Sequence, residues 1–499
     1  MKYRFYWAEY KLFLYEKELG LREVKKLYPN DIELTEHQKY IEVISSDKVI
    51  DNEYLERLTY FSRIEIENKT VYPLITKLES NKKTNRQHTR YSAHGLHEYK
   101  GKFNPQIVHS LLNLFKIDEE SLVLDPFCGS GTTLLESRIM NIHSIGIDAN
   151  PLAVFIANAK QKAAISNPIQ LKEQWNQITE EYNHKVLDYN LKDDIRSQYL
   201  KEWFPEKYLV TIEVLKDVID SKFNENRDVF LTVISNNLRD YSNQEPADLR
   251  IRKRRTPFPE INLMDKITSD LDKLIENVSF SQKYLSIKND KNEAFLANNK
   301  TSNSLNDYIE INSIDLGITS PPYATALPYI DTQRLSLVWL GFTESKDILN
   351  LERELTGTRE LRKAEIIELN SLLLNNHNNL PDEIAQYCTG LYNSLCESDG
   401  FRRQAVPALL YHYFSDMYLM FKNIYPYFKK DGIFSLVVGT NHTTLGGIRF
   451  DIDTPYFLQE VACLAGWKKE DSIKLQTYKR YGIHHKNAVG GETLIILRK

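Results

Sequence analysis

Residues 125–133 form a glycine-containing loop whose residue types suit the binding of a nucleoside. Gly129 and Gly131 lie between an apolar run that predicts a strand and a stretch that predicts a helix. Glycines there let the backbone approach a ligand, and the free N–H groups of the helix offer hydrogen bonds. Asp148 ends the next predicted strand, where a carboxylate suits the hydroxyls of a ribose. The missing Gly-Lys-Ser/Thr sequence disfavours a P-loop triphosphate site, and the missing third fingerprint glycine disfavours a dinucleotide, so a nucleoside cofactor without a diphosphate fits better. A tight strand–helix turn with a capping Ser or Thr is the structural alternative.

The loop resembles the S-adenosylmethionine loop of amino-directed DNA methyltransferases, in its sequence Asp-Pro-Phe-Cys-Gly-Ser-Gly-Thr-Thr. The resemblance implies that Gly129 and Gly131 line the methionine part of the cofactor and that Asp148 holds the ribose. An upstream segment, residues 97–106, is similar to the family segment that leads into this site. The cofactor residues implied by the resemblance are Phe103, Pro105, Asp125, Phe127, Gly129, Ser130, Gly131, Thr132 and Asp148.

A second cluster, Ser320-Pro321-Pro322-Tyr323, follows another apolar strand. Prolines lack N–H groups and fix φ, so this loop presents carbonyls and a rigidly placed aromatic ring. An exocyclic base amine is a poor nucleophile because its lone pair is delocalised, and a site that accepts both amine hydrogens frees that lone pair. Ser320 and the carbonyl of Pro321 can be those acceptors, and Tyr323 can stack on a base taken out of the helix. A strand that simply ends in Pro-Pro-aromatic is the structural alternative.

The sequence Thr-Ser-Pro-Pro-Tyr is similar to the catalytic motif of cytosine-N4 methyltransferases, whereas adenine-N6 enzymes more often have Asp or Asn in place of Ser320. This resemblance implies catalytic roles for Ser320, Pro321, Pro322 and Tyr323. Cytosine-C5 methylation is disfavoured because it needs a thiolate nucleophile, usually after a proline, and the chain has no Pro-Cys dipeptide. The histidines His88, His94 and His97 lack partners at metal-ligand spacing, so no metal is predicted.

The sharpest basic run of the sequence, residues 250–255, carries five cations in six residues, although the formal net charge is −4. Such a run is commonly a solvated surface, but here it lies between the two motifs, where the family places target recognition. By that analogy the run contacts phosphates. The DNA-binding residues predicted in this way are Arg250, Arg252, Lys253, Arg254 and Arg255.

The elements around the motifs predict an α/β fold. Strand, glycine turn, helix and strand make a βαβ unit with a parallel sheet. We predict a doubly wound Rossmann-like methyltransferase sheet interrupted by mainly helical insertions. The expected parts are an N-terminal helical extension (1–85), a catalytic domain (86–160, 305–344 and 406–499), a helical target-recognition insertion (161–304) and a second insertion (345–405).

The composition of 42% apolar and 26% charged residues excludes disordered and fibrous classes. Four cysteines without a CxxC pair and a charged N-terminus without a signal peptide favour a reducing, cytoplasmic setting without a membrane span.

These observations together predict a DNA methyltransferase that uses S-adenosyl-L-methionine, most consistent with cytosine N4, in a bacterial restriction-modification or defence system. Its partners would be double-stranded DNA and a cognate restriction endonuclease or defence subunit. Adenine-N6 methylation, RNA guanine-N2 methylation and a catalytically silent DNA-binding subunit remain alternatives.

Overall fold

The fold is described from a computed structural model that covers residues 1–28, 33–45, 50–80, 87–287, 291–324, 329–476 and 491–499. The N-terminal part contains β1 (Lys2–Trp7), α1 (Leu14–Leu27), β2 (Glu33–Glu36), β3 (Tyr40–Ile44), α2 (Asn52–Glu56), β4 (Phe61–Ile66), β5 (Lys69–Val71) and α3 (Leu74–Glu79).

The N-terminal part is built around a sheet, so the expectation that it would be helical is wrong. In the described residues, five strands pair antiparallel in the order β2-β3-β1-β4-β5. Along β1 the side chains of Tyr3, Phe5 and Trp7 are buried, whereas the alternate residues face outward. This period of two is the pattern of a strand with one buried face.

The middle of the chain begins with a short 3-10 turn (Ser92–Gly95) and continues into the first half of the central sheet and a block of helices. Its elements are α4 (Pro105–Leu114), β6 (Leu122–Asp125), α5 (Thr132–Ile139), β7 (His143–Asp148), α6 (Pro151–Ile165), α7 (Pro168–Lys185), α8 (Ile195–Trp203), α9 (Glu206–Lys222), α10 (Arg227–Ser235), α11 (Leu263–Gln282), β8 (Asn292–Leu296) and β9 (Ile314–Thr319).

The C-terminal part contains a second group of helices, the remaining strands of the central sheet and a hairpin. Its elements are α12 (Tyr329–Leu340), α13 (Ile348–Glu354), α14 (Lys363–Leu374), α15 (Asp382–Asn393), α16 (Phe401–Gln404), α17 (Val406–Ile424), β10 (Phe428–Gly439), β11 (Asn441–Leu445), β12 (Ile448–Ile452), α18 (Thr454–Leu464), β13 (Lys468–Leu475) and β14 (Glu492–Arg498).

The central sheet has, in the described part of the chain, seven strands in the order β13-β14-β10-β9-β6-β7-β8. The five strands from β10 to β8 are parallel, and β14 is antiparallel to both β10 and β13. From β6 the chain runs outward through β7 to β8, then returns to β9 on the other side of β6. This confirms the predicted doubly wound Rossmann-like sheet, and the reversal beside β6 is where ligands bind in such sheets.

Both faces of the central sheet are covered. Val123 and Leu316 share a core with Phe5 of the N-terminal sheet and with α4, whereas Leu124 and Leu436 pack with α17 and α18. The N-terminal sheet is thus packed against the central sheet and shares its core.

Helices α7 to α11 lie within the range 161–304 that was predicted as a helical insertion, whereas α6 begins in the predicted catalytic domain. The predicted range 161–304 includes β8, which pairs in parallel with β7 and therefore belongs to the central sheet. The insertion into the sheet consequently ends before Asn292. Among the described residues, no helix is long and apolar enough to cross a membrane.

Candidate active site

A cleft of about 870 Å³ opens at the carboxyl ends of β6, β7, β8 and β9. Of the residues predicted from the sequence, it is lined by Phe103, Asp125, Phe127, Gly129, Ser130, Thr132, Asp148, Ser320 and Pro322. The glycine loop and the Ser-Pro-Pro-Tyr loop therefore face the same cleft, because β6 and β9 are parallel neighbours whose carboxyl ends meet at one edge.

The glycine loop is held against Asp148. The N–H group of Gly129 donates to Oδ2 of Asp148 at 2.9 Å, and the N–H group of Asn150 donates to Oδ1 at 2.9 Å. Burial raises the pKa of Asp148 to about 6, while the hydrogen bonds from the Asn150 and Gly129 N–H groups oppose the rise. A carboxylate at the end of β7 thus lines the cleft with lone pairs that can accept further hydrogen bonds.

The two glycines of the loop have different tasks. Gly129 (φ +49°) lines the cleft, and a Cβ there would lie 3.3 Å from the ring of Tyr99. Gly131 (φ +75°) is not among the lining residues and instead touches α6, since a Cβ there would lie 2.8 Å from the Cβ of Ala157. The structure therefore gives Gly131 a role in helix packing rather than in lining the cleft.

Substitution of Gly131 by alanine should lower the free energy of unfolding by about 2–4 kcal/mol, because left-handed backbone strain adds to a steric clash with Ala157. Gly390 is the matched control: it lies inside α15 with open space around it, so alanine there should stabilise by about 0.5–1 kcal/mol. Urea unfolding of both variants measures the difference. A stability loss at Gly390, or none at Gly131, would contradict the assignment.

Asp125 joins the two loops. Thr133 donates to its Oδ2 at 2.6 Å, and Thr319, the residue before Ser320, donates to its Oδ1 at 2.7 Å. The N–H group of Phe127 also donates to Oδ1 at 3.1 Å. Burial raises the pKa of Asp125 to about 6, with these hydrogen bonds opposing the rise. Asp125 borders the cleft, and the hydrogen bonds that it accepts fix the glycine loop relative to the Ser-Pro-Pro-Tyr loop.

In the Ser-Pro-Pro-Tyr loop, Ser320 and Pro322 line the cleft and Pro321 is buried. The hydroxyl of Ser320 donates to the carbonyl of Val437 on β10 at 3.2 Å. Because its proton points to that carbonyl, the oxygen of Ser320 keeps its lone pairs as acceptors. The hydroxyl of Tyr323 donates to Oε1 of Glu492, the first residue of β14, at 2.5 Å.

The upstream segment contributes Phe103 to the cleft wall, together with residues 99–102. Pro105 is buried as the first residue of α4, and Asn104 caps the helix by accepting the N–H of Gln106 at 3.0 Å. Pro105 therefore sets the start of α4 and does not border the cleft.

Several cleft residues were not predicted from the sequence. Ala297, Asn298 and Asn299 follow β8, and Asn299 donates from Nδ2 to the carbonyl of Pro126 at 2.5 Å. Glu354, Leu355 and Thr356 belong to the second predicted insertion and form another wall. The short strand β8, with its alternating buried and exposed residues, is the local signal for residues 297–299, but it lies in the range predicted to be helical. Residues 354–356 have no such signal, because they reach the cleft only through tertiary packing.

A buried lysine supports the glycine loop from behind. Lys160 on α6 is fully buried, and its Nζ donates to Oγ of Ser130 at 2.9 Å. Burial lowers the pKa of Lys160 well below its usual value, and the charge on Lys102 lowers it further. Lys102 also borders the cleft, and burial lowers its pKa to about 8.

The histidines of the upstream segment make protein contacts. Nε2 of His94 lies 2.6 Å from Oε1 of Glu136, which also accepts from the hydroxyl of Tyr91 at 2.7 Å, and Nδ1 of His109 lies 2.9 Å from Oε2. His97 contacts the carbonyl of Glu98 at 2.8 Å. Within the described ranges, no group of three His, Cys, Asp or Glu side chains is arranged to hold a metal ion.

The network at Glu136 predicts a loss of stability in acid. Burial, opposed by the bond to Glu136, lowers the pKa of His94 to about 4, so the unfolded chain binds more protons between pH 6.5 and 4. Burial alone would raise the pKa of Glu136, but the hydrogen bonds to His109 and His94 lower it to about 2. Protonation of Glu136 therefore lowers the free energy of unfolding further between pH 4.5 and 2.

His94 should contribute a fall of about 3 kcal/mol in the free energy of unfolding between pH 6.5 and 4. Carboxyl groups with raised pKa values, such as Asp125 and Asp148, act in the opposite direction over the same range. Urea unfolding of the wild type and of His94→Gln at several pH values isolates the His94 contribution as the difference between the two slopes. Equal slopes in the wild type and the variant would rule out His94 as a cause.

Two cations of the basic run form hydrogen bonds with backbone carbonyls of the protein. The guanidinium of Arg254 donates to the carbonyls of Ser242 and Asp240 at 2.7 and 2.6 Å. Lys253 donates to the carbonyl of Glu202 at 3.0 Å and lies 4.0 Å from the ring centroid of Trp203. Arg252 pairs with Asp248 at 2.9 Å and stays exposed, as do Arg250 and Arg255. Arg254 and Lys253 thus stabilise the loop itself, and the run faces solvent mainly through the other three arginines.

Comparison with known proteins supports the relationship that the motifs indicate. Residues 8–159 match the family described as DNA methylase, with N6 and N4 specificities in its designation. The chain is 33% identical to the type II methyltransferase M.MjaII of Methanocaldococcus jannaschii over 160 residues, which cover 31% of this chain and 30% of that protein. It is 25% identical to M.BsoBI of Geobacillus stearothermophilus over 342 residues, which cover 61% of this chain and 62% of that protein. It is also 25% identical to M.MvaI of Kocuria varians over 294 residues, which cover 54% of this chain and 63% of that protein.

The resemblance to amino-directed DNA methyltransferases is thereby confirmed. The match to the family begins at residue 8 and so includes most of the N-terminal sheet, which the motifs did not cover. The chain spans between 30% and 63% of the length of these three relatives.

Proposed function

We propose that this chain transfers a methyl group from S-adenosyl-L-methionine to an exocyclic amine of a DNA base, cytosine N4 in particular. The observation that carries the proposal is the meeting of Ser320 and Pro322 with the loop of Gly129 and the carboxylate of Asp148 in one cleft. The type II methyltransferases to which the chain is similar support the reaction class.

The cleft fits the proposed cofactor. It has a backbone face at Gly129 and a partly buried carboxylate at Asp148, a combination of apolar walls and a few placed polar groups that is typical of small-molecule sites. Asp148 would hold the ribose, Gly129 and Ser130 the methionine part, and Phe103 and Phe127 the apolar surface. When bound, the cofactor supplies an activated methyl group on its sulfonium sulfur.

The residues of this chain would act by orienting the base and polarising its amine. The Ser320 oxygen accepts one amine hydrogen while its own hydroxyl hydrogen is donated to the Val437 carbonyl, and the Pro321 carbonyl accepts the other amine hydrogen. Both bonds localise the nitrogen lone pair. Tyr323 stacks on a base extruded from the duplex, and its bond to Glu492 fixes the ring. The chemistry needs no covalent bond to the protein, and the amine that gains the methyl group releases one of its hydrogens as a proton to solvent.

The identity of the methylated base is tested in a bacterial host that lacks DNA cytosine-N4 and adenine-N6 methylation. Genomic DNA from cells expressing the chain is digested to nucleosides and examined by mass spectrometry, with cells carrying an empty vector as control. We expect N4-methylcytosine. N6-methyladenine instead would assign the alternative base, and unmodified DNA beside methylated RNA would overturn the proposal.

The biological setting belongs to the same proposal. A cytoplasmic restriction-modification or defence system, with a cognate endonuclease that cleaves the unmethylated site, is the setting that type II methyltransferase relatives suggest. Host DNA methylated by this chain should then resist that endonuclease.

A further inference from the structure

Three arginines from separate parts of the chain lie on segments that are attached to the Ser-Pro-Pro-Tyr loop or to the residues directly after it. They are Arg250 in the first insertion, Arg359 between α13 and α14, and Arg402 on α16. All three residues are accessible to solvent, although Arg359 is also partly enclosed by neighbouring atoms. We refer to them as the arginine triad.

Arg250 is held near the catalytic loop by Asp331. Nε2 of Gln244 donates to the carbonyl of Asp331 at 2.9 Å, and Gln244 also forms a β-bridge with Lys253. Asp331 lies in the first turn of α12, shortly after Tyr323, so the basic run is fastened to the end of the catalytic segment.

Arg359 is held by direct packing on the catalytic loop. A Cβ at Gly357 would lie 3.2 Å from the carbonyl oxygen of Tyr323 and 3.5 Å from the Cβ of Pro322. The backbone at Gly357 therefore touches this loop, and Arg359 follows two residues later. Thr356, on the other side of Gly357, lines the cleft itself.

Arg402 is held through the hairpin of β11 and β12. The carboxylate of Asp399, just before α16, accepts the N–H of Gly446 at the tip of the hairpin at 2.9 Å. At the base of the hairpin, Nδ2 of Asn441 donates to the carbonyl of Ala324 at 2.6 Å, and Ala324 directly follows Tyr323.

The members of the triad are close enough for the charges of Arg250 and Arg402 to act on Arg359. Partial burial, followed by the charges on Arg250 and Arg402, lowers the pKa of Arg359. By comparison, the guanidinium of Arg196 contacts Glu213 at 2.7 Å and that of Arg227 contacts Asp220 at 2.7 Å. Like charges brought together from three segments repel each other, and a bound anion relieves this repulsion.

We infer that the arginine triad binds the phosphodiester backbone of DNA beside the extruded base. This inference rests on the proposed function and adds the residues that hold the strand. Guanidinium groups bind phosphate oxygens bidentately, and backbone contacts set the register of a protein on its duplex. The triad would hold the two sides of the flipped nucleotide, while Ser320 and Tyr323 act on its base.

The test compares single and triple substitutions to glutamine at Arg250, Arg359 and Arg402 with the wild type. The equilibrium constant for duplex binding is measured from 50 to 200 mM salt, and cofactor affinity is measured in parallel. Each lost phosphate contact should reduce the magnitude of the slope of log K against log salt by about 0.9. The slope of the triple variant should therefore be smaller in magnitude than that of the wild type by about 2 to 3. KM for DNA should rise more than kcat falls, and cofactor affinity should stay unchanged.

Arg63→Gln is the matched control. Its guanidinium lies on the N-terminal sheet, 3.7 Å from the ring centroid of Tyr6 and paired with Glu65 at 3.1 Å, and its loss should leave the salt slope unchanged. An unchanged slope in the triple variant, with wild-type methylation intact, would overturn the inference alone. A wild-type protein that binds the cofactor but methylates no DNA would overturn the proposed function instead.

Discussion

Replacement of Tyr323 by alanine is expected to lower the rate of DNA methylation about 100-fold while the dissociation constant of the cofactor changes less than about twofold. Stacking of a base on an aromatic ring contributes about 1–3 kcal/mol, and a base without this support is poorly placed for transfer. The ring is not part of the cleft lining, although Ser320 and Pro322 are, so cofactor contacts should persist. Single-turnover methylation and calorimetric titration of the cofactor measure the two quantities.

Tyr323→Phe is the matched variant for this prediction. It keeps the ring and removes the 2.5 Å bond to Glu492, so it should lose less than about 10-fold in rate. An equal loss of methylation and cofactor affinity in Tyr323→Ala would mean that the loop is structural. If Tyr323→Phe is as inactive as Tyr323→Ala, the hydroxyl of Tyr323 rather than its ring is the group needed for methylation.

Replacement of Asp148 by alanine is expected to weaken cofactor binding about 30- to 100-fold. The carboxylate both borders the cleft and holds the N–H of Gly129 at 2.9 Å, so its loss removes a contact and loosens the glycine loop. Charge-assisted hydrogen bonds of this kind contribute about 2–3 kcal/mol. Since the pKa of Asp148 is raised to about 6, wild-type affinity should also fall as the pH drops below 6 and the carboxylate is protonated.

Asp315→Asn serves as the control, because this aspartate lies near the start of β9, at the opposite end of the strand from the cleft, and pairs with Lys429 at 2.7 Å. Its cofactor affinity should equal that of the wild type. Circular dichroism shows whether Asp148→Ala is folded. A folded Asp148→Ala protein with wild-type affinity would remove Asp148 from the cofactor site.

The parts of the fold that the sequence predicts best are those with local signals. Gly129 and Asp148 follow short apolar strands, and Pro151 begins a helix, so the βαβ unit can be derived from neighbouring residues. The two functional loops meet because β6 and β9 are adjacent in the sheet. No residue pattern in the two loops indicates that adjacency, which arises because the chain returns from β8 to the other side of β6.

The parts that were missed depend on weaker or longer-range signals. The alternation of Tyr3, Phe5 and Trp7 with charged and polar residues was hidden by the overall polarity of the N-terminal part. The role of Gly131 depends on Ala157, which approaches only after α6 has folded back on the loop. Likewise, Thr356 reaches the cleft through tertiary packing, which no local pattern encodes.

The basic run shows why charge clusters in a sequence overstate a binding surface. Arg254 directs its charge to backbone carbonyls of its own loop, and Lys253 directs its charge to the carbonyl of Glu202 on α8. Arg359, which stands outside any such cluster, follows the backbone of Gly357 that touches the catalytic loop. The spacing of charges along the chain therefore did not reveal which cations share a surface.

Methylation of an exocyclic amine of DNA by this chain is tested most directly by one measurement. The purified protein is incubated with S-adenosylmethionine that carries a deuterated methyl group, together with duplex DNA and tRNA in the same reaction, and both nucleic acids are digested to nucleosides. Mass spectrometry should find the deuterated methyl group on N4 of deoxycytidine and none on tRNA nucleosides. A label found only in tRNA, or on neither nucleic acid while the cofactor binds, would contradict the account.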